Sequence, residues 1–173
     1  MDRQKIPTVL VVDDDADCVR MMCRAIGTIY PVTFAVDGEE ALRKARVVMP
    51  DVIILDIMMP GGMDGFATFC NLRRDPRTCN IPVIMVSEVC RKTGLPFSGE
   101  SMKQYLGAVP TAFIEKPVAS EQLLREVENV LAYEHGVRDR NAETDNGNRP
   151  YEQCRTLKNA GWFDRFVGIS GRR

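Results

Sequence analysis

Long apolar runs are missing from this sequence, and their absence argues against a membrane-spanning segment. The longest apolar stretches, such as residues 52–55, meet a charged residue within a few positions, whereas a spanning helix needs about 18 or more consecutive apolar residues. The N-terminal residues offer only the short apolar run 8–12 before three aspartates, so no signal peptide is predicted. We therefore expect a cytoplasmic protein that makes no membrane contact.

Neither sign of charge predominates, and no cysteine pair has the spacing of a metal or redox site. The 23 Lys and Arg residues nearly balance the 24 Asp and Glu residues, so no global field attracts nucleic acid or an anionic membrane. The six cysteines lack Cys-x-x-Cys spacing and are expected to be free thiols that pack as small apolar side chains. With 173 residues, 45% of them hydrophobic and 27% charged, the composition is that of an ordinary globular protein of about one domain.

Short strand patterns alternate with helical patterns along most of the chain. Residues 8–12 form a β-branched run without polar alternation, which is typical of a strand buried on both faces. The alternation predicts an α/β fold, a doubly wound five-stranded parallel sheet with helices on both faces. The predicted strands are 8–12, 31–36, 51–55, 81–86 and 112–114, and the predicted helices are 15–30 (ending near Gly27), 39–48, 64–74 and 120–135, the last capped by Ser120 and closed by His135-Gly136.

Two parts of the chain interrupt this alternation. Residues 88–111 form a connection longer than a crossover helix needs, so extra irregular structure is expected there. We predict a domain over 7–135, a polar linker over 136–150 and a short C-terminal extension of unknown role over 151–173. The 37 residues after Gly136 carry eight basic and five acidic side chains, but domains start at about 50 residues. The extension is therefore expected to fold back on the first domain rather than to bind DNA.

Four of the predicted strands run into charged or reactive side chains, and the carboxyl ends of such strands share one edge of the sheet. Two carboxylates about 4 Å apart repel each other by about 4 kcal/mol at an effective dielectric constant near 20. Clustered acids therefore need cations, and oxygen ligands favour Mg²⁺ over a softer metal. The side chains are Asp13-Asp14-Asp15 after the first strand, Asp56 after the third, Ser87 after the fourth and Glu115-Lys116 after the fifth.

A carboxylate beside Mg²⁺, a lysine and a hydroxyl suits the transfer of a phosphoryl group to the carboxylate. Aspartate can act as the nucleophile, and cations stabilise the charge that spreads over the phosphoryl oxygens. In this interpretation Asp56 is the nucleophile. Mg²⁺ holds one phosphoryl oxygen, Lys116 a second and the Ser87 hydroxyl a third.

Four segments, in this order, resemble the successive motifs of a response-regulator receiver domain of two-component signalling. They read VLVVDDD (9–15), VIILDIMMPG (52–61), VIMVS (83–87) and FIEKP (113–117). The resemblance implies the flavodoxin-like strand order 2-1-3-4-5. It also implies a phosphorylation-driven switch, and not an enzyme, that accepts a phosphoryl group on Asp56 from a sensor histidine kinase or a phosphotransfer protein.

The resemblance further implies a metal site at the predicted edge of the sheet. Asp14 and Asp56 would bind Mg²⁺ directly, together with the backbone carbonyl of Met58. Asp13 would act through a metal-bound water.

A switch is implied by the same resemblance. Ser87 would move towards the new phosphoryl group, and Phe113 would follow it as a buried aromatic side chain. The dipeptide Lys116-Pro117 is similar to the family's cis peptide bond, and X–Pro bonds are where a cis bond costs little.

The sequence departs from the family's pattern around the predicted site. The loop 61–65 holds one residue more than usual, and Glu88 follows Ser87 where the family generally has a small residue. A carboxylate there could crowd or repel a phosphodonor. Met58 and Val89 flank the site and are apolar, and we hypothesise that they hinder water and prolong the life of the phosphoryl group.

Other classes of protein stay open on sequence grounds alone. Glu88 favours a receiver-like scaffold that has lost phosphorylation, whereas an aspartyl-phosphate hydrolase would need a second acid where Met58 stands. A transcription factor is a weaker alternative. Besides the phosphodonor, we expect an unknown downstream protein as partner; a homodimer stays open, and neither a membrane nor nucleic acid is expected.

Overall fold

Strands and helices alternate over the part of the chain that the structure describes. The computed structural model covers residues 5–60, 62–88 and 109–141, with the backbone alone for 134–141. Most of the long connection 88–111 and all of the extension 151–173 lie outside these residues. The strands are β1 (Val9–Val12), β2 (Val32–Ala35), β3 (Val52–Asp56), β4 (Val83–Ser87) and β5 (Ala112–Glu115), and the helices are α1 (Ala16–Ile26), α2 (Gly38–Val48), α3 (Gly65–Arg74) and α4 (Ser120–Asn141).

The five strands form one parallel sheet in the order β2-β1-β3-β4-β5, which confirms the predicted doubly wound fold. The register pairs Asp56 with Val86 and Ser87 with Glu115. Because every pairing is parallel, the carboxyl ends of the strands lie along the same edge. The residues that follow the strands are therefore gathered there.

Helices cover both faces of the sheet and bury its central strands. All four residues of β1 and the apolar residues of β3 have no exposed surface. Their side chains alternate between two cores, so that Leu10 and Val12 pack with α2 and α3, and Val9 and Val11 pack with α1 and α4. Continuous apolar runs satisfy both cores at once, which is why these strands lack polar alternation.

The first three helices begin with an aspartate whose side chain accepts hydrogen bonds from the first turn. Such caps stabilise a helix by about 1 kcal/mol each. Since each of these helices follows a strand, the caps lie at the carboxyl edge of the sheet. The hydrogen bonds run from Asp17 N to Asp15 Oδ1, from Glu40 N to Asp37 Oδ1 and from Ala67 N to Asp64 Oδ1, each at 2.7 Å.

The last helix departs from the prediction at both ends. Ser120 is its first helical residue rather than its cap, and the Leu123 N–H donates to the carbonyl of Ala119. The predicted end at His135-Gly136 was wrong, because α4 continues to Asn141. A glycine inside a helix costs only about 1 kcal/mol relative to alanine, too little to end a helix whose next residues contain no proline. Over the described residues, neither this helix nor another is long and apolar enough to cross a bilayer.

The four cysteines that the structure describes are thiols and not disulfides, as predicted. Cys79 is buried and the other three are half-buried, so they pack as small apolar groups. Burial raises the pKa of the Cys18 and Cys23 thiols. Cys90 and Cys154 lie outside the described residues.

Candidate functional site

An acidic pocket of about 440 Å³ opens at the carboxyl edge of the sheet. Asp13 and Asp14 follow β1, Asp56 ends β3 and Lys116 follows β5, and all four line the pocket. One carboxylate oxygen from each of the three aspartates lies within 4.8 Å of the others. The parallel sheet thus brings together residues that are far apart in the sequence.

The Lys116 side chain supplies positive charge to this cluster. Its Nζ lies 2.7 Å from Asp13 Oδ2 and 3.2 Å from Asp56 Oδ1. Its backbone N–H donates to the Ser87 carbonyl, and its peptide bond to Pro117 is cis. Burial lowers the pKa of the ammonium, but the hydrogen bond to Asp13 and the charge of Asp56 outweigh burial, so the pKa lies above its ordinary value. Lys116 therefore stays charged and offsets part of the repulsion among the acids.

Asp13 and Asp14 differ in exposure although they are adjacent. Asp13 is completely buried, and its Oδ1 accepts a hydrogen bond from the Asp15 backbone N–H at 2.9 Å while its Oδ2 accepts one from Lys116. Asp14 is exposed and completes the three-acid cluster. The cluster therefore has one fixed, fully buried carboxylate and one at its solvent side.

Asp56 is 3% exposed, and its two carboxylate oxygens have different surroundings. Oδ2 accepts a hydrogen bond from the Met58 backbone N–H at 3.1 Å, whereas the buried Oδ1 forms an ion pair with the Lys116 ammonium at 3.2 Å. Burial raises the pKa of Asp56 to about 6; Lys116 opposes the rise, and Asp13 and Asp14 add to it. At neutral pH Asp56 is thus a buried carboxylate whose Oδ1 lies beside the Lys116 ammonium.

The donor atoms of the cluster fit a hard divalent cation. Asp13, Asp14 and Asp56 each contribute one carboxylate oxygen to a set whose members lie within 4.8 Å of one another, and like charges this close repel one another unless a cation offsets them. Mg²⁺ prefers oxygen ligands and keeps several of its waters, which a 440 Å³ pocket has room for. No sulfur or imidazole belongs to this cluster of the described residues, so a softer metal is not favoured.

Ser87 and Phe113 lie near this edge but do not line the pocket. Ser87 ends β4 and is completely buried, and its strand neighbour Val86 pairs with Asp56. Phe113 is half-buried in β5, where it pairs with Met85 and packs against the core that contains α2 and α3. Both residues therefore lie within the sheet, in β4 and β5, and not in the wall of the pocket.

Sequence reasoning missed part of the pocket wall. Cys18 lines it because α1 begins at the same edge, and Asp64 lines it because α3 does. Both could have been expected from the helix starts that the sequence predicts. Glu88, which the sequence places beside the site directly after Ser87, lies in the wall as well and is half-buried.

Comparison with known sequences gives a family for most of the chain. A family model described as the response regulator receiver domain matches residues 9–128. Response regulator PleD of Caulobacter vibrioides is 36% identical over 126 residues, which are 72% of this chain and 26% of PleD. The DNA-binding dual master transcriptional regulator RpaA of Synechocystis is 34% identical over 131 residues, 73% of this chain and 49% of RpaA. The chain thus spans half or less of the length of these relatives.

Solved structures agree in fold over the same part of the chain. The chemotaxis response regulator CheY4 of Vibrio cholerae superposes with a TM-score of 0.62 at 30% identity, covering 73% of this chain and 99% of CheY4. The receiver domain of the Francisella response regulator 1452 gives a TM-score of 0.60 at 29% identity, covering 73% and 98%. The acidic pocket, the strand order and the family match agree, and the chain belongs to the response-regulator receiver-domain family of two-component signalling.

Proposed function

We propose that this protein is a signalling switch whose Asp56 accepts a phosphoryl group. Receiver domains are in general switches rather than enzymes, and they interact with histidine kinases or phosphotransfer proteins. The observation that supports the assignment most is the buried Asp56 carboxylate, which lines the acidic pocket and has the Lys116 ammonium 3.2 Å from its Oδ1. A phosphoryl group bonded to this carboxylate would lie beside the positive charge that stabilises it.

The chain's own residues supply the nucleophile and part of the charge stabilisation. A carboxylate oxygen of Asp56 forms the new O–P bond while the P–N bond to the donor histidine breaks, and the imidazole leaves with the electron pair. Lys116 stabilises the charge on the phosphoryl oxygens. Asp13 holds Lys116 by the 2.7 Å ion pair, so its role towards Lys116 is positional.

The metal in this proposal is Mg²⁺, which Asp14, Asp56 and the Met58 backbone carbonyl would hold directly and Asp13 would hold through water. When bound, Mg²⁺ would offset the repulsion of the acids and polarise a phosphoryl oxygen. The three carboxylates within 4.8 Å of one another support this assignment.

The switch itself is assigned to Ser87 and Phe113. The Ser87 hydroxyl would donate to a phosphoryl oxygen, and movement of the end of β4 would be passed to β5, with which it pairs. Phe113 is only half-buried, so its side chain has room to change position. The output would be altered contact with a downstream protein. That the switch works as a stand-alone protein, with the domain over 7–135, stays a prediction.

Phosphoryl uptake from a small acyl phosphate tests the proposal. Wild-type protein incubated with Mg²⁺ and acetyl phosphate is expected to gain the mass of one phosphoryl group, and Asp56→Asn is expected to gain none. Asp37→Asn is the matched control, because it makes the same change at an exposed helix cap and asparagine caps as well as aspartate. Absence of uptake by the wild type would favour the non-phosphorylated scaffold, and uptake by Asp56→Asn would contradict the assigned residue.

A further inference from the structure

Gly65, the first residue of α3, lies directly against the backbone of Asp56. A Cβ atom built on Gly65 would lie 2.0 Å from the Asp56 carbonyl oxygen, 2.9 Å from the Asp56 carbonyl carbon and 2.7 Å from the Ile57 Cα. All three are backbone atoms, so no side-chain rotation can relieve the overlap. The Gly65 N–H also donates to the Ile57 carbonyl at 3.0 Å.

The requirement for glycine at this position is steric. The φ angle of Gly65 lies outside the left-handed region, so a residue with a side chain could adopt the same backbone. Gly62, in the same loop, provides the contrast, since none of the described atoms lies within 4 Å of a Cβ built there. The sequence alone cannot distinguish these two glycines.

This contact fixes one end of Asp56 while the pocket fixes the other. Its backbone is pressed against the start of α3, and its carboxylate is held by the Met58 N–H and lies beside Lys116. A displacement of the peptide bond between Asp56 and Ile57 therefore moves the carboxylate relative to Lys116. Asp64 holds the start of α3 in turn, through its cap on Ala67 N.

We propose that Gly65 is a positioning residue for phosphoryl transfer. Because Gly65 has no side chain, α3 can approach the Asp56 backbone and hold the Asp56 carboxylate 3.2 Å from the Lys116 ammonium. This inference rests on the proposed function of Asp56. The 2.0 Å approach would have to open to at least 3.0 Å for any Cβ to fit. A misplacement of about 1 Å can slow a reaction by about 100-fold.

Three alanine variants separate positioning from general damage to packing. Gly65→Ala, Gly62→Ala and Gly38→Ala are compared by urea unfolding, by Mg²⁺ titration calorimetry and by the rate of phosphoryl uptake at rising acetyl phosphate concentration. Gly38→Ala is crowded too, by Thr68 Oγ1 at 2.1 Å and the Met63 carbonyl at 2.8 Å, but its Cβ meets no atom of Asp56 among its nearest contacts. It therefore reports what a comparable loss of stability does by itself.

The proposal expects Gly65→Ala to lower the plateau rate of uptake by about 10- to 100-fold, with little change in the half-saturating donor concentration. The plateau rates of the two control variants should stay within about threefold of the wild-type rate, because neither change displaces Asp56. A wild-type rate for Gly65→Ala, or an equal loss in Gly38→Ala, would overturn the proposal.

Two further measurements keep the test decisive. If Gly65→Ala does not fold, Asp64→Ala and Asp64→Ser replace it, since both remove the charge and only serine keeps the cap; slower uptake by the alanine variant supports positioning, and equal rates overturn it. If the wild type takes up no phosphoryl group, the proposed function fails. Positioning is then judged by Mg²⁺ affinity, which should weaken in Gly65→Ala and not in Gly62→Ala, and equal affinities overturn it.

Discussion

Replacing Asp56 by asparagine should make the metal-free protein more stable, although it removes the proposed phosphoacceptor. Burial raises the pKa of Asp56 from 3.8 to about 6, and each unit of such a shift corresponds to about 1.4 kcal/mol. The ionised carboxylate therefore lowers the free energy of unfolding by about 3 kcal/mol near neutral pH. Because an amide only approximates a protonated carboxyl, we expect Asp56→Asn to gain about 2 to 3 kcal/mol.

The gain should depend on pH in a defined direction. Between pH 3.8 and about 6 the folded protein binds the Asp56 proton and the unfolded chain does not, so wild-type stability falls as the pH rises through this window. The advantage of the asparagine variant is fully present above the folded pKa and is lost as the pH drops towards 3.8. Near pH 5 about half of it should remain.

Urea unfolding followed by circular dichroism, with EDTA present, measures this difference. Asp14→Asn is the control, since it removes a negative charge from the same cluster at an exposed position, where a surface charge is worth about 1 kcal/mol or less. Adding Mg²⁺ should reduce the advantage of Asp56→Asn, because a ligand of the folded state stabilises the wild type. If the gain in the free energy of unfolding is absent, or is equal at pH 5 and pH 7.5, the ionised Asp56 carboxylate is not the source of the lost stability.

Three other predictions follow from buried polar groups and from the pocket wall. Thr33→Val should raise the free energy of unfolding by about 1 kcal/mol, because Thr33 Oγ1 is buried without a hydrogen bond. Thr78→Val should lower it by about 1 to 2 kcal/mol, because Thr78 Oγ1 donates a hydrogen bond to the Leu72 carbonyl. A change of the same sign in both urea titrations would contradict this reasoning. Lys116→Met should lower stability by about 3 kcal/mol or more, since it leaves the fully buried Asp13 without its cation, and a loss below about 1 kcal/mol would count against the pair. Met58 lines the pocket, so on the hypothesis that it hinders water, Met58→Ala should shorten the half-life of the phosphorylated protein, followed by mass spectrometry; an unchanged half-life would count against this hypothesis.

The sheet could be predicted because its central strands must satisfy two cores. Residues 9–12 and 52–55 are continuous apolar runs. Runs of this length between helical patterns are typical of parallel strands that are buried on both faces. The end of α4 could not be predicted from Gly136, because the local preference of one glycine is weaker than the continuation of a regular helix.

The candidate site could be predicted as far as strand ends determine it. Asp13, Asp14, Asp56 and Lys116 each follow or end a strand, so topology alone brings them to one edge. The contact of Gly65 with Asp56 depends on the distance between a helix start and a backbone carbonyl. No pattern in the sequence encodes that distance.

Mapping the phosphorylated residue tests the central claim most directly. Borohydride reduces an acyl phosphate on aspartate to homoserine, so protein treated with Mg²⁺ and acetyl phosphate, reduced and digested, can be analysed residue by residue by tandem mass spectrometry. We expect homoserine at position 56 and at no other aspartate. Homoserine at position 13 or 14, or a phosphoryl group recovered only on another side chain, would contradict the assignment of Asp56 as the phosphoacceptor.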